Sequence, residues 1–229
     1  LANGATATQT TKPSGGYAYY KDGTLTLNNY SYEGMGYQYD SNQGFHATVF
    51  TEQDLTLELV GFNTLTQTAL WQSDVICVGA RGKPDLTVDG NGKLIGTADN
   101  GIGLCAGGDI TINGGTIAVT TNYAGIISWY ENVIINGGDI IAESDGGSSS
   151  AICAGCDVTI NCGNVTAISA KRAIGYGTSL TIAKDLNIQA STTADGELGE
   201  YVAANIASYK KIVITGKPIN NVNVSATFS

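Results

Sequence analysis

Four aspartates in this chain, Asp54, Asp85, Asp109 and Asp157, open closely similar apolar segments: DLTLELVG, DLTVDGNG, DITINGG and DVTINCG. Stacked on one another, such segments put the carboxylates in a single outward column, interrupted by Asn132. Carboxylates about 5 Å apart repel unless water or a cation lies between them. Calcium takes about six to eight oxygens, turn carbonyls and Asn side chains included, so Asp85 and Asp109 are candidate calcium ligands. The plainer reading is that Asp begins each strand and accepts nearby turn amides. Asp195, Glu197 and Glu200 form a second acidic group open to the same two readings.

Aromatic residues offer a different chemistry. Trp129 and Tyr130 follow GIIS, Tyr123 lies in the preceding turn, and Tyr176 falls two repeats above Trp129. Sugar rings present C–H faces that pack on exposed aromatic rings, while neighbouring Asn, Asp and Thr bond the hydroxyls. Tyr123, Trp129, Tyr130 and Tyr176 are therefore the candidate carbohydrate-binding residues. Alternation counted from Ile127 turns Trp129 inward and Tyr130 outward, unless the turn breaks the pattern.

The cysteines number five. Cys105 and Cys153 share a position in GLCAGG and AICAGC, with Ser128 and Gly175 expected at that position in the intervening and following repeats. Two spacings of about 4.8 Å exceed the roughly 7 Å limit for a disulfide. Cys77, in DVICVGA, sits one repeat below Cys105 and within its reach. Cys156 and Cys162 flank a strand and lie roughly 20 Å apart if it is extended. The Cys153-x-x-Cys156 spacing lacks a helix or a second pair, so it reads as neither a redox motif nor a zinc site. The set is expected to be small buried ladder residues.

Composition bounds what these groups can serve. The chain has 229 residues, which fits one domain or at most two small ones. It carries 31 Gly, 3 Pro and 14% charged residues, against ordinary usage of about 7% Gly and about 25% charged. It is rich in turns and poor in charge, yet 42% hydrophobic, which excludes a disordered acidic tail and a coiled coil. No apolar run approaches the roughly 20 residues of a membrane span. A net charge of −9, with Arg81 and Arg172 the only arginines, argues against nucleic acid as a partner.

The elements that position these groups come from internal repeats. DLTVDGNG, DITINGG, NVIINGG, DVTINCG and SLTIAKD start 24, 23, 25 and 22 residues apart. TLTLNNY and DLTLELVG extend the series upstream, and KIVITGK extends it downstream. Each repeat reads as three short strands, as in GIGLCAG, DITING and GTIAVTT. Alternation turns Ile110, Ile112, Ile117 and Val119 one way and Thr111, Thr116 and Ala118 the other. Inward ladders are expected through Val133, Ile135, Ile140 and Ala142, and through Val158, Ile160, Val165 and Ala167. Another is expected through Leu104, Ile127, Ile152, Ile174 and Ile206. A leucine-rich repeat is excluded by the missing LxxLxLxxN pattern. The fold expected is an all-β, single-stranded, right-handed parallel β-helix with three short strands per coil. An Asn column at Asn113, Asn136 and Asn161 suits the turns, because Asn tolerates left-handed angles and bonds its stacked neighbours.

The solenoid's ends need covers for their open strand edges. Residues 1–53 hold seven of the twelve tyrosines, and AYYKDGTLTLNNY reads as a Tyr-rich capping hairpin. The expected organisation is one domain, with 1–53 as cap and first coil, 54–218 as coils and 219–229 as a C-terminal edge.

These segments carry a resemblance. The YxxxGTLTLNNYxxxG pattern, followed by DLTLELVGFNTL and DITINGGTI-type coils, resembles secreted β-helix proteins of anaerobic Gram-positive bacteria, some classed as carbohydrate-binding and pectate-lyase-like. It covers nearly the whole chain from Tyr17. It implies a right-handed β-helix, export to the cell surface and binding of plant cell-wall polysaccharide, and an anaerobic habitat accommodates free thiols. Lyases on such scaffolds need Asp-bound calcium and a Lys or Arg that abstracts the proton beside a uronate carboxylate. Arg81 lies near Lys83, Asp85 and Asp74, whereas Arg172 and Lys171 occupy a turn three coils on. Hydrolases cluster their carboxylates, and Asp139, Glu143 and Asp145 lie along one strand and its loop without a partner cluster. His46 precedes a strand without a companion.

The sequence therefore leads to an exported, cell-surface, non-catalytic binding or adhesion module for polysaccharide, working as a monomer, with calcium as the conceivable cofactor. A calcium-dependent polysaccharide lyase and a structural stalk are the alternatives.

Overall fold

The computed structural model describes residues 15–79 and 82–216, so Arg81 and the expected C-terminal edge at 219–229 lie outside it. The chain winds into a parallel β-solenoid of about five turns, with three sheets running its length. Sheet A stacks Thr24–Asn28, Leu55–Val60, Leu86–Gly90, Ile110–Ile112, Val133–Ile135, Val158–Ile160 and Leu180–Ile182. Sheet B carries the second strand of each coil, from Ser31–Gly34 to Asn164–Ser169 and Leu186–Ser191. Sheet C carries the third, from Phe45–Thr51 through Ser73–Val78, Ile102–Ala106, Ala124–Ser128 and Ser150–Ala154 to Arg172–Tyr176.

In sheets A and B the register follows the expected alternation. Ile112, Ile135 and Ile160 form one column of direct partners, and Ile117, Ile140 and Val165 another, all with essentially no solvent exposure. Thr111 and Thr116 face outward and are only half-buried. The Asn column is a side-chain ladder: the Asn136 amide donates to Asn113 Oδ1 at 3.0 Å and the Asn161 amide to Asn136 Oδ1 at 2.9 Å. Its residues do not take left-handed angles. Gly115, Gly138 and Gly163, two residues further on, take φ of 80°, 92° and 97°, positions where glycine has no Cβ penalty.

Sheet C departs from alternation. Five of its seven strands turn two successive residues inward: Val75–Ile76, Gly103–Leu104, Gly125–Ile126, Ala151–Ile152 and Ala173–Ile174. The first of each pair is small or short because it points into a narrow corner. A Cβ on Gly103 would lie 2.7 Å from Val119 Cβ, and one on Gly125 would lie 2.8 Å from Ala142 Cβ. The cross-strand ladder skips this position in the Ile102–Ala106 and Ala124–Ser128 pair and in the Ser150–Ala154 and Arg172–Tyr176 pair. The inward ladder runs through Leu104, Ile126, Ile152 and Ile174, one residue short of the expected Ile127, because the turn from Ser128 to Asn132 holds one residue more than its equivalents in the neighbouring coils. Ile206 does not extend it, being in the 3-10 helix Ala203–Ser208.

Antiparallel strands flank the parallel stack at the start of sheet A and at the end of sheet B. Tyr17–Lys21 pairs antiparallel with Thr24–Asn28 across a turn in which Asp22 and Gly23 have φ of 49° and 81°, a hairpin turn with two left-handed central residues. At the other end Lys211–Gly216 runs antiparallel between Asn164–Ser169 and Leu186–Ser191, ending the parallel stacking of sheet B. No helix among the described residues is long and apolar enough to cross a membrane.

Burial of the Ile135 column dictates a stringent test. An Ile135→Asp chain would place an unpaired carboxylate between Ile112 and Ile160, a cost of several kcal/mol that exceeds any local relaxation. Circular dichroism should show loss of the cooperative β transition.

Candidate functional site

The paired inward residues of sheet C determine its outer face. Because two residues turn in together, positions i and i+3 both face out, so Asp74 and Cys77 share the outer surface. One coil on, Ile102 and Cys105 occupy the same places, and then Ala124 and Ile127. The outward column is thus Phe50, Cys77, Cys105, Ile127, Cys153 and Gly175. Cys77 lies beside Cys105 as expected, and Ile127 rather than Ser128 separates Cys105 from Cys153. All five cysteines are free thiols.

Part of this face is walled in by aromatic side chains, which leave a cleft beside them. Tyr37–Asp40 pairs antiparallel with Phe45–Thr51 and lays Tyr39 on Phe50, ring centroids 4.8 Å apart and planes 4° apart. Tyr39 belongs to the stretch read from sequence as cap, and here it walls a lateral cleft of about 500 Å³. Trp129 and Tyr130 form another part of its lining, and Asp74, Cys77 and Cys105 form its buried floor.

The floor is an unusual polar cluster. Asp74 has no solvent exposure. Its Oδ2 accepts the Tyr39 hydroxyl at 2.8 Å and its Oδ1 the Ile102 amide at 3.2 Å, and the Cys77 thiol donates toward it. Burial nevertheless dominates and pushes the Asp74 carboxyl up to about 7, these hydrogen bonds opposing it. Burial, and then the neighbouring carboxyl, push the Tyr39 phenol upward. The Cys105 thiol is raised by its hydrogen bond with Cys77 and then by burial, with Trp129 opposing. One ligand atom each from Asp74, Cys77 and Cys105 lies within 4.8 Å of the others.

The sequence candidates divide between this face and others. Trp129 and Tyr130 are 38% and 53% exposed, the turn having broken the alternation that would send Trp129 inward. Tyr123 lies 6.3 Å from Trp129, centroid to centroid, and lines an adjoining groove of about 330 Å³ with Trp71, Asn100 and Asn122. Gln72 borders both depressions. Tyr176 is not in the Trp129 column. It pairs with Ala154, which pairs with Ser128, and its ring packs on the main core near Tyr201. The one-residue slip is the same one that displaces Ile127.

The Asp column forms as a hydrogen-bond ladder. Asp54 Oδ1 accepts the Asp85 amide at 3.0 Å, Asp85 Oδ1 the Asp109 amide at 2.7 Å, and Asp109 Oδ1 the Asn132 amide at 2.9 Å. Asn132 Oδ1 continues it to the Asp157 amide, and Ser179 donates to Asp157. One oxygen of Asp85 and of Asp109 is therefore already taken by backbone N–H, which offsets the repulsion without an ion.

Lys83 pairs with Glu131 and lies 6.0 Å from the Tyr130 ring centroid. Arg172 donates to Ser150 at 3.3 Å and Lys171 to the Ser148 carbonyl at 2.8 Å. Asp139 accepts from Asn164 and Glu143 from Thr120, while Asp145, Asp195, Glu197 and Glu200 are exposed. His46 Nδ1 is 2.8 Å from the Gly44 carbonyl. None of these lines the cleft.

No protein-family model, curated protein or solved structure matches the chain.

Asp74 gives the cleft a pH signature. The unfolded chain ionises this carboxyl near 3.8, whereas the folded protein keeps it protonated up to about 7. The folded state thus holds the extra proton between these values, so stability falls as pH rises from about 4 to about 7 and is flat above. A rise from 3.8 to about 7 corresponds to roughly 4 kcal/mol. Urea unfolding in chelator-containing buffer should show this decline relative to Asp74→Asn, which cannot ionise. A pH-independent difference between the two proteins would refute it.

Proposed function

We propose that this chain is a non-catalytic binding module for an extended, neutral polysaccharide, seated along the outer face of sheet C. The observation that carries this reading is the exposed pair Trp129 and Tyr130 at a preformed cleft, with a second depression beside it. Two adjoining depressions with Gln72 between them suit a polymer of several sugar units. Asn100 and Asn122 place amides along the second one, where they can bond hydroxyls. Tyr39 is stacked on Phe50, and Trp129 and Tyr130 follow directly from the strand Ala124–Ser128, so little side-chain and loop order is lost on binding.

Charge argues for a neutral glycan over a polyuronate. Asp40 lines the cleft, no lining residue among the described ones is Lys or Arg, and the chain carries −9 overall. A uronate chain would meet like charge there. Lyase chemistry also needs a base beside the uronate, and Lys83 is engaged with Glu131. The resemblance of the repeat segments supports work at the cell surface, where an adhesion module meets polysaccharide.

The test is retention on insoluble xylan and cellulose against polygalacturonate. Wild-type protein should be held by a neutral polymer. The Trp129→Ala, Tyr130→Ala double variant should stay folded and lose about tenfold in affinity, equivalent to about 1.4 kcal/mol. Unchanged retention, or preference for polygalacturonate, would overturn the reading. Incubation with polygalacturonate and calcium should yield no unsaturated, ultraviolet-absorbing product.

A further inference from the structure

We propose that Asp74, Cys77 and Cys105 bind a borderline-soft divalent cation, zinc being the best fit, at the floor of the lateral cleft. This site is separate from the Asp85 and Asp109 column, and it does not depend on glycan binding.

The donor set decides the class of ion. Two sulfurs and one carboxylate suit a thiophilic metal and exclude calcium and magnesium, which take oxygen shells. Zinc sits at about 2.3 Å from thiolate and about 2.0–2.2 Å from carboxylate, so tetrahedral ligand atoms lie roughly 3.5–3.8 Å apart. The three donor atoms here already lie within 4.8 Å of one another, so side-chain rotation alone closes the remainder.

The fold explains why these residues converge. Cys77 and Cys105 are direct register partners in consecutive coils, which sets their separation by the strand spacing. Asp74 joins them from three residues upstream because Val75 and Ile76 both turn inward. The supporting shell is in place. Tyr39 holds Oδ2 and the Ile102 amide holds Oδ1, which orients the carboxylate while leaving lone pairs for a metal. Trp129 lies against Cys105, closing the sulfur side. Three protein ligands leave a fourth position facing the cleft, the arrangement of a zinc ion that keeps an exchangeable water or ligand.

Cys156 and Cys162 provide internal controls. Cys156 donates to the Tyr130 carbonyl and Cys162 is exposed, neither contributing to the cluster. The experiment uses the full chain, reduced and stripped of metal, titrated with cobalt(II) and then zinc(II). One equivalent of cobalt should produce near-ultraviolet thiolate charge-transfer absorption and intense visible bands of tetrahedral geometry, both abolished by zinc. Zinc, but not calcium or magnesium, should raise the melting temperature. Cys77→Ser with Cys105→Ser should remove the bands, and Asp74→Asn should weaken binding at least tenfold. Cys156→Ser with Cys162→Ser should leave both unchanged. Cys105→Ala keeps the column apolar and serves where the serine variant fails to fold; it too should lose the tetrahedral spectrum. Absence of thiolate absorption in reduced wild-type protein, or its persistence when Cys77 and Cys105 are replaced, would overturn the assignment. Retention on polysaccharide is not read here, so failure of either proposal leaves the other standing.

Discussion

Everything in this molecule depends on in-register backbone pairing between consecutive coils. A coil on its own cannot satisfy its strand amides and carbonyls, and the neighbouring coil offers the same groups at the same places. Once that ladder forms, any residue repeated at the coil spacing meets its own kind. Isoleucines then build a dry column, Asn amides chain from Asn161 to Asn136 to Asn113, and Asp54, Asp85 and Asp109 each find the next coil's amide. In the last case the pairing also offsets a repulsion. Stacked carboxylates ought to repel, but Asp85 Oδ1 lies 2.7 Å from the Asp109 N–H, so each charge faces a donor. The acid column is thus a consequence of the ladder, and it helps to hold the register that produced it.

The same pairing makes the third sheet informative. Sheets A and B obey alternation, so their columns at Ile112, Ile135 and Ile117 were legible in the sequence. Sheet C bends at a corner where two residues must turn inward. Gly103 and Gly125 are the trace of that bend, because a side chain there would strike Val119 or Ala142. The slip between coils has a different source: the turn from Ser128 to Asn132 is one residue longer than those from Ala106 to Asp109 and from Ala154 to Asp157, which even repeat spacing conceals. That single slip put Ile127 in the Leu104 column and set Tyr176 above Trp129, whereas Ile127 is buried on Cys105 and Tyr176 stands above Ser128. The repeat therefore disclosed the fold, while the phase within one strand of each coil needed the packing against a neighbouring sheet.

Legibility of the site follows the same division. Trp129 and Tyr130, with Tyr123 in the preceding turn, stand out as mid-solenoid aromatics, and they do share a face. Tyr39 could not be separated from the other N-terminal tyrosines, since its partner Phe50 is reached only after the chain reverses between Asp40 and Phe45. Asp74 left a clearer mark that period-2 reading obscured. A carboxylate in SDVICV, within an otherwise apolar strand, contradicts the burial its neighbours demand. Its spacing of three from Cys77 looks like opposite faces until the paired inward residues are known.

That contradiction is the strongest functional signal in the chain. A buried carboxyl costs far more than an apolar residue of similar size, and a hydroxyl, an amide and a thiol do not remove the cost, since burial still raises Asp74 to about 7. Elsewhere along the outer face of sheet C the corresponding column positions hold Ile102 and Ala124, which shows that an apolar side chain fits there without difficulty. The scaffold thus has no structural need for the acid at that coil. Two thiols also stand side by side only where that acid stands; one coil further on Ile127 replaces them, and Cys153 has no cysteine partner in register. Local destabilisation confined to the one coil that lies beneath an open cleft is what a ligand site requires, and it distinguishes this floor from the self-satisfied Asp and Asn ladders on the other faces.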